Sequence, residues 1–281
     1  MEWLTAYKIP LGSWIKTLVD FLNAHAAGFF DFISWTLGGL IDGMTAALIA
    51  VPPLLLLALI ALLAWLLHRS WQLVALVVVS LLLIINLGYW QETLETLALV
   101  VSATAMCMVI GIPLGIMAAH RPRFYTFLRP ILDLMQTIPT FVYLIPTLIL
   151  FGLGVVPGLI SPVIFALPAP IRLTYLGVSR VPLPLIEAGQ SFGASPSQLL
   201  WKVELPYAMP TIMAGLTQCI MLSLSMVVIA ALVGADGLGK PVVRALNTVN
   251  VARGFEAGLA IVLLAIMLDR LCRRPGSSGE G

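Results

Sequence analysis

The chain has 281 residues, of which 60% are hydrophobic and only 10% are charged, and its mean hydropathy is +1.04. A soluble domain of this length needs more polar surface than this composition supplies, so the sequence excludes a water-soluble globular protein. The formal net charge of +2 is too small to indicate binding to nucleic acid.

The first 42 residues are predicted to form amphipathic helices at the outer membrane interface. A helix with Trp and Phe on its apolar face tends to lie in the plane of the interface. The sequence favours a passive anchoring segment over a docking or sensing element, and a cleaved signal peptide is not expected. The two apolar stripes consist of Leu11, Trp14, Ile15, Leu18, Val19 and Leu22, and of Phe29, Phe32, Ile33, Leu37 and Leu40.

Windows without Asp, Glu, Lys or Arg mark the predicted membrane spans, because a hydrocarbon core of about 30 Å takes roughly 20 apolar helical residues. The long window 134–171 contains six prolines, so we divide it near Gly152 to Gly158 into a fourth and a fifth span. A seventh span covers about 255–271, and a disordered tail is expected over 272–281. The sequence predicts an all-α polytopic membrane protein with about seven transmembrane helices. The charge-free windows are 43–67, 70–91, 96–119, 134–171 and 205–235.

The distribution of basic residues predicts the orientation in the membrane. Ten of the 15 Lys and Arg residues fall on the side that carries the polar segment between the fifth and sixth spans. Lys and Arg are concentrated in cytoplasmic loops of membrane proteins. We therefore expect this side to be cytoplasmic, with the N-terminus outside and the C-terminus inside.

The polar segment, residues 183–206, is predicted to form two short helices joined by a tight corner. Pro184 suits a first helical position, and Glu187 is placed in the first turn, where its charge complements the helix dipole. Gly193 permits the corner, and Ser195 with Gln198 forms a capping box for the second helix. The segment is either an interfacial hairpin that joins two spans or a surface that a partner approaches closely.

The spacing within this segment resembles the signature loop of permease subunits of ATP-binding-cassette importers. Gly189 stands where Ala is usual in that loop, and Val203 stands where Ile is usual. In that family the loop forms a coupling helix, which fits a cleft on a cytoplasmic ATPase and carries its closing motion into the membrane. The resemblance implies that the ATPase-coupling residues are Glu187, Ala188, Gly189, Gly193, Leu205 and Pro206.

The resemblance extends over roughly residues 92–271, which are similar to the five-helix core of type I importer permeases. Residues 43–91 then form two accessory helices, and residues 92–271 form a permease domain with the coupling loop 183–206. Several stretches resemble the glycine betaine, proline betaine and choline subfamily, namely Met135 to Pro139, Tyr143 to Pro146, Phe165 to Pro168, Ile171 to Thr174, Met221 to Ala231 and Gly234 to Gly239.

The sequence contains no G-x-x-x-x-G-K-[ST] phosphate loop, so ATP and Mg are expected on a partner ATPase and not on this chain, which is not an enzyme. The three cysteines have neither disulfide nor metal-ligand spacing, and the three histidines are predicted to be interfacial polar residues. The resemblance implies a cytoplasmic ATP-binding subunit, an extracytoplasmic substrate-binding protein and a permease homodimer among the lipids of a bacterial cytoplasmic membrane. No nucleic-acid partner is expected.

Proline and glycine breaks make the fourth and fifth spans the candidate translocation path, because such breaks persist in a membrane only where protein or water satisfies the freed backbone groups. Phe141 and Tyr143 could offer ring faces to a quaternary ammonium group. Packing at the membrane interface is the commoner role of such residues and stays favoured. Asp133 is predicted to pair with Arg129 one turn earlier. The candidate path residues are Gln136, Pro139, Phe141, Tyr143 and Pro146.

Two other classes of membrane protein compete with the importer permease. An ion-driven secondary carrier or an osmotically gated channel would work without a nucleotide partner, but a carrier needs ionisable residues at mid-membrane, and this chain has almost none there. A membrane enzyme would need paired catalytic residues, which the sequence lacks. The sequence therefore favours a permease for a quaternary ammonium compound of the choline or glycine betaine type.

Overall fold

A computed structural model describes residues 10–273, and within this range every regular element is a helix. The all-α prediction is therefore confirmed. The helices are α1 (Leu11–Ala50), α2 (Pro53–His68), α3 (Trp71–Asn86), α4 (Trp90–His120), α5 (Pro122–Thr137), α6 (Thr140–Phe151), α7 (Val155–Ala166), α8 (Pro168–Ser179), α9 (Leu183–Ser191), α10 (Pro196–Leu199), a π-helix (Leu200–Glu204), α11 (Leu205–Ala230), a 3₁₀ turn (Ala231–Val233), α12 (Gly239–Asn247) and α13 (Val251–Cys272).

Five helical stretches among the described residues are long and apolar enough to cross a membrane, and the bent pair α5–α6 adds a sixth. The third, fifth and seventh predicted spans lie within three of these stretches, and the sixth, 205–235, extends two residues beyond the end of its stretch at Val233. The fifth span extends beyond the predicted Ile171 to Ser179, because α7 and α8 are continuous. The five stretches are Gly12–Ala50, Trp90–His120, Val155–Ser179, Pro196–Val233 and Val251–Cys272.

The N-terminal region differs in part from the prediction of two interfacial helices followed by a span over 43–67. Element α1 consists of two helical segments joined at Ala26, whose backbone is not helical, which agrees with the predicted number of helices. The second segment continues into the predicted first span as far as Ala50. Val51 then adopts an extended conformation, and Pro52 and Pro53 lack the N–H groups that would continue the helix. The predicted first span is therefore wrong as a single helix, since the proline pair divides it.

The two early helices α2 and α3 pack against each other as a hairpin. Each has 16 residues, which corresponds to about 24 Å of helix. This length is shorter than the roughly 30 Å hydrocarbon core, so neither helix spans it alone without local thinning or flanking residues. The side chain of His68 at the end of α2 lies 2.6 Å from the carbonyl oxygen of Arg273, which ties the hairpin to α13.

The predicted fourth span is also not a single helix. Helices α5 and α6 meet at Ile138 and Pro139 with a bend of 98°. Ile138 is extended because it precedes a proline, and Pro139 cannot donate a helical hydrogen bond. The predicted division between the fourth and fifth spans is confirmed, since the chain is non-helical from Gly152 to Gly154.

Helix α8 forms the centre of the core, where it packs against α4 on one side and α11 on the other. A Cβ atom on Gly115 of α4 would lie 2.6 Å from Cβ of Thr174, and one on Gly177 of α8 would lie 3.0 Å from Cβ of Ala208. Small residues let helix backbones approach closely in membranes, where packing replaces the hydrophobic driving force. The three helices α4, α8 and α11 therefore form a close-packed unit, here called the central bundle.

The predicted packing role of the cysteines agrees with their positions. Cys107 and Cys219 are fully buried beside Leu159 and Val163, and Cys107 donates its thiol hydrogen to the Val163 carbonyl oxygen at 3.5 Å. Cys272 is the last residue of α13, so the predicted tail starts one residue too early, and residues 274–281 lie outside the described residues.

Candidate functional site

The first loop helix, α9, projects from the end of α8 and buries none of its residues. It begins at Leu183, so Glu187 is its fifth residue and does not lie in the first turn, as the sequence had suggested. The helix starts one residue earlier than predicted, because Pro182 is extended and Pro184 fits within the first turn. Glu187 and Ala188 are exposed on its surface, where a partner can reach them.

The corner after α9 is formed by Gly193, as predicted. Gly193 has a φ of +76°, a left-handed conformation that favours glycine. Its N–H donates to the Gln190 carbonyl at 2.8 Å, and the N–H of Ala194 donates to the Gly189 carbonyl at 3.1 Å. These two hydrogen bonds form a Schellman motif, which satisfies the last carbonyl groups of the helix. The chain direction at the corner is therefore fixed by the loop's own backbone.

The second loop helix starts with the predicted capping box. The backbone N–H of Ser195 donates to Gln198 Oε1 at 2.9 Å, and the N–H of Gln198 donates to Ser195 Oγ at 3.3 Å. This helix, α10, is not a separate element, however, because it runs through the π-helix directly into α11. Residues Leu205 and Pro206 therefore lie inside a continuous helix that joins the loop to the membrane. Any displacement of α10 must move α11 with it.

Gly189 allows the two helices of the loop, α9 and α10, to cross closely. A Cβ atom at this position would lie 2.7 Å from Cδ1 of Leu199 and 3.7 Å from Cγ2 of Val203. Leu199 is buried under α9. The polar segment 183–206, here called the elbow, therefore has a small apolar core of its own. The glycine found here in place of the usual alanine thus makes room for the leucine side chain.

The solvent side of the elbow carries large apolar side chains. Phe192 is 93% exposed at the corner and Leu183 is 63% exposed at the start of α9, and Trp201 lies exposed on the π-helix. Exposed apolar groups rimmed by polar residues are typical of sites where another protein docks. Leu183 and Phe192 lie at the two ends of α9, which carries Glu187 and Ala188, and these four residues form the candidate docking surface.

One polar contact at the base of the loop was not predicted from the sequence. Glu204, at the end of the π-helix, is 5% exposed, and its Oε2 accepts a hydrogen bond from His120 Nε2 at 2.8 Å. A periodicity signal was present, because Glu204 stands four and eight residues before the buried Ala208 and Ile212. A carboxylate on the buried face of a helix requires a partner. The partner, His120, could not be identified from local sequence.

The candidate path residues surround the bend between α5 and α6. Gln136, Pro139 and Phe141 are exposed there, and Pro146 is partly buried in the middle of α6. Tyr143 is buried, and its hydroxyl donates to the backbone carbonyl of Met135 on the far side of the break. The structure thus brings the first three together on an accessible surface and places Tyr143 within the packing that holds the bend.

The predicted ion pair between Asp133 and Arg129 is wrong. Asp133 Oδ1 lies 2.5 Å from the guanidinium of Arg172 on α8. The bend turns α5 so that it contacts α8, and a planar guanidinium is a strong hydrogen-bond partner for a carboxylate. The carboxylate therefore joins two helices and does not stabilise its own helix.

Comparison with known proteins gives relatives over nearly the whole chain. The glycine betaine/carnitine transport permease protein GbuB of Listeria monocytogenes is 47% identical over 266 residues, which is 94% of each chain. The glycine betaine/proline betaine transport system permease protein ProW of Escherichia coli is 46% identical over 95% of this chain and 75% of its own length. The glycine betaine transport system permease protein OpuAB of Bacillus subtilis is 47% identical over 94% of this chain.

A solved structure of the MetNI methionine ABC transporter, in an inward-facing conformation, contains a chain with a similar fold. The TM-score is 0.56 at 26% identity, over 62% of this chain and 88% of that one. The family model described as "Binding-protein-dependent transport system inner membrane component" matches residues 111–274. The predicted resemblance to ABC importer permeases is confirmed. The chain therefore belongs to this family of multi-pass inner-membrane permeases, as a transport component and not an enzyme.

Proposed function

We propose that the chain is the permease subunit of an ATP-driven importer for a quaternary ammonium compound of the glycine betaine or choline type. The observation that carries the proposal is the exposed elbow 183–206, which is rigidly capped at its corner and continuous with α11. The names of the relatives support the substrate class, because they include glycine betaine, proline betaine and carnitine.

The elbow couples ATP hydrolysis to the membrane through its contacts. Helix α9 with Glu187, Ala188 and Phe192 seats in a cleft of a cytoplasmic ATPase, which binds ATP and Mg. The corner at Gly193 and the crossing at Gly189 pass the motion to α10 and to the start of α11 at Leu205 and Pro206. Because α11 packs closely on α8, the ATPase shifts the population between inward-facing and outward-facing states of the bundle.

The translocation path runs beside the bend between α5 and α6. Gln136, Pro139 and Phe141 present polar and aromatic groups there, and Pro146 allows α6 to deform. A ring face attracts a quaternary ammonium group without requiring a buried countercharge. The permease needs only weak, transient contacts, since an extracytoplasmic binding protein captures and delivers the substrate.

The assembly contains two permease chains in the bacterial cytoplasmic membrane, in contact with membrane lipid. One chain supplies one elbow, whereas a pair of ATPase subunits offers two clefts, so a homodimer is the simplest arrangement. The N-terminus lies outside and the C-terminus in the cytoplasm, as the distribution of Lys and Arg favours.

Reconstitution into vesicles with the ATPase and the binding protein tests this function. We expect ATP hydrolysis and uptake to rise with glycine betaine, proline betaine, choline or carnitine, but not with amino acids that lack a methylated nitrogen. The alternative is an ion-driven secondary carrier or an osmotically gated channel. Uptake by vesicles that contain this chain alone, driven by a sodium or proton gradient or by osmotic shock, would support that alternative and overturn the proposal.

A further inference from the structure

The hydrogen bond between Glu204 and His120 lies where the elbow enters the membrane. Glu204 ends the π-helix that joins α10 to α11, and His120 is the last residue of α4. The Glu204 side chain is 7% exposed, whereas His120 is 47% exposed. The carboxylate is thus held inside the protein by a side chain of a neighbouring helix, 84 residues earlier in the sequence.

The surroundings of this hydrogen bond are apolar. Leu205, Ala208 and Ile212 of α11 form a buried cluster with Val178 of α8, and residues at the inner end of α4 pack on the cluster. A buried carboxylate costs free energy, which a leucine at the same position would not. Since the apolar cluster alone could join α4 to α11, stability does not require a Glu–His contact here.

The local backbone also differs from an ordinary helix. The N–H of Leu205 donates to the Leu200 carbonyl, which closes a π turn directly at Glu204. Single π turns within α-helices are frequent at functional sites. Here the wider turn stands between helices α9 and α10, which the ATPase would move, and the part of α11 that packs in the central bundle.

We propose that the His120–Glu204 pair couples movement of the elbow to α4, so that both sides of the central bundle respond together. The continuous helix already links the elbow to α11, and the hydrogen bond adds a second connection, to α4. Both residues are positioning residues, which contact neither the nucleotide nor the transported compound. The inference rests on the proposed coupling function of the elbow.

The test uses the full complex of permease, ATPase and binding protein in vesicles, with glycine betaine as the probe. The double variant His120→Leu with Glu204→Leu removes the hydrogen bond without leaving a buried unpaired carboxylate. We expect it to co-purify with the ATPase and to hydrolyse ATP at the basal rate. Stimulation by the loaded binding protein should fall about fivefold or more, the range of a typical coupling free energy.

Two further variants separate coupling from packing. His120→Gln keeps a hydrogen-bond donor and should retain near wild-type stimulation. His68→Leu removes a histidine that contacts a backbone carbonyl at the end of α2, away from the elbow, and should leave stimulation unchanged. If the double leucine variant does not assemble, the exchanged pair His120→Glu with Glu204→His should recover stimulation that Glu204→His alone loses.

The outcomes distinguish this inference from the function on which it rests. Full stimulation in the double leucine variant would show that the pair only satisfies a buried carboxylate, and would overturn the inference alone. The inference would also be overturned if the His120→Gln variant assembles but loses as much stimulation as the double leucine variant. It would likewise be overturned if the exchanged pair recovers no stimulation. If the wild-type complex shows no stimulation by any methylated amine, the proposed function itself fails.

Discussion

The central bundle and the corner of the elbow use glycine for different reasons. Gly115 of α4 has a helical backbone, but Thr174 and Ile171 leave no space for a side chain. Gly193 at the corner has nothing within 4 Å of its Cβ position, but its φ is +76°. A substitution therefore fails by collision at Gly115 and by backbone strain at Gly193. The bundle depends on distant packing, whereas the elbow is specified by its own few residues.

The largest expected effect is a loss of folded protein, caused by Gly115→Leu in the central bundle. Its side chain would collide with Cβ of Thr174 and with the Ile171 carbonyl oxygen, 2.6 and 2.7 Å from the Cβ position. Overpacking costs about 1–3 kcal/mol and sometimes more, so we expect little folded protein. Thermal unfolding in detergent measures the loss. The matched variant Gly258→Leu on α13, where nothing lies within 4 Å, should unfold like wild type.

The next largest effect is a loss of ATPase binding, expected from Gly193→Trp at the corner of the elbow. A left-handed conformation costs a residue with a side chain about 1–2 kcal/mol, and the indole would stand on the ATPase-facing surface. We expect normal membrane insertion but no co-purification of the ATPase. Gly193→Asn should retain the partner, because asparagine tolerates this conformation. Equal co-purification of the Trp variant and wild type would contradict the role of the corner.

The next largest effect is expected from the charge of Glu187 on α9, which should determine ATPase association, and Glu187→Lys tests it. The Glu187 carboxylate is exposed on the proposed docking surface, so charge reversal should abolish ATPase association while the permease still inserts. Glu187→Gln, which keeps the size and loses the charge, should bind with intermediate affinity and a weaker salt dependence. Pull-down at low and high salt measures both. Normal association of the Lys variant at low salt would remove Glu187 from the coupling surface.

The same contrast explains which features the sequence could predict. The corner and the capping box were predicted correctly because Gly193, Ser195 and Gln198 act on groups within five residues. The partner of Asp133 was not predicted correctly, because Arg172 is 39 residues away and becomes a neighbour only through the bend between α5 and α6. The 43–67 span failed for another reason, since its hydropathy outweighed the Pro52–Pro53 pair that ends α1.

A smaller effect is expected at the bend, from Tyr143→Phe. This variant keeps the ring but removes the hydrogen bond to the Met135 carbonyl, which should cost about 1 kcal/mol of stability. A less rigid bend should lower the uptake rate more than the affinity for the binding protein, and Tyr143→Ala should lower it further. Phe141→Leu, at an exposed site, should leave the unfolding temperature unchanged. Unchanged uptake in both Tyr143 variants would restrict Tyr143 to packing.

The smallest effect on transport is expected from Gly189→Ala, at the point where α9 crosses α10. The added methyl group would lie 2.7 Å from Cδ1 of Leu199, the end of a side chain that can move slightly. We expect an elbow that folds but couples a few-fold less well, measured as ATP hydrolysed per molecule transported. Leu199→Ala should lower coupling as well, because it leaves a cavity under α9. If the elbow moves as one body, the two substitutions together should recover part of the loss, since the new methyl group fills space that the leucine vacates. If the two losses of coupling are strictly additive, α9 and α10 move independently. The corner at Gly193 would then be the only connection that transmits the ATPase motion from α9 to α10.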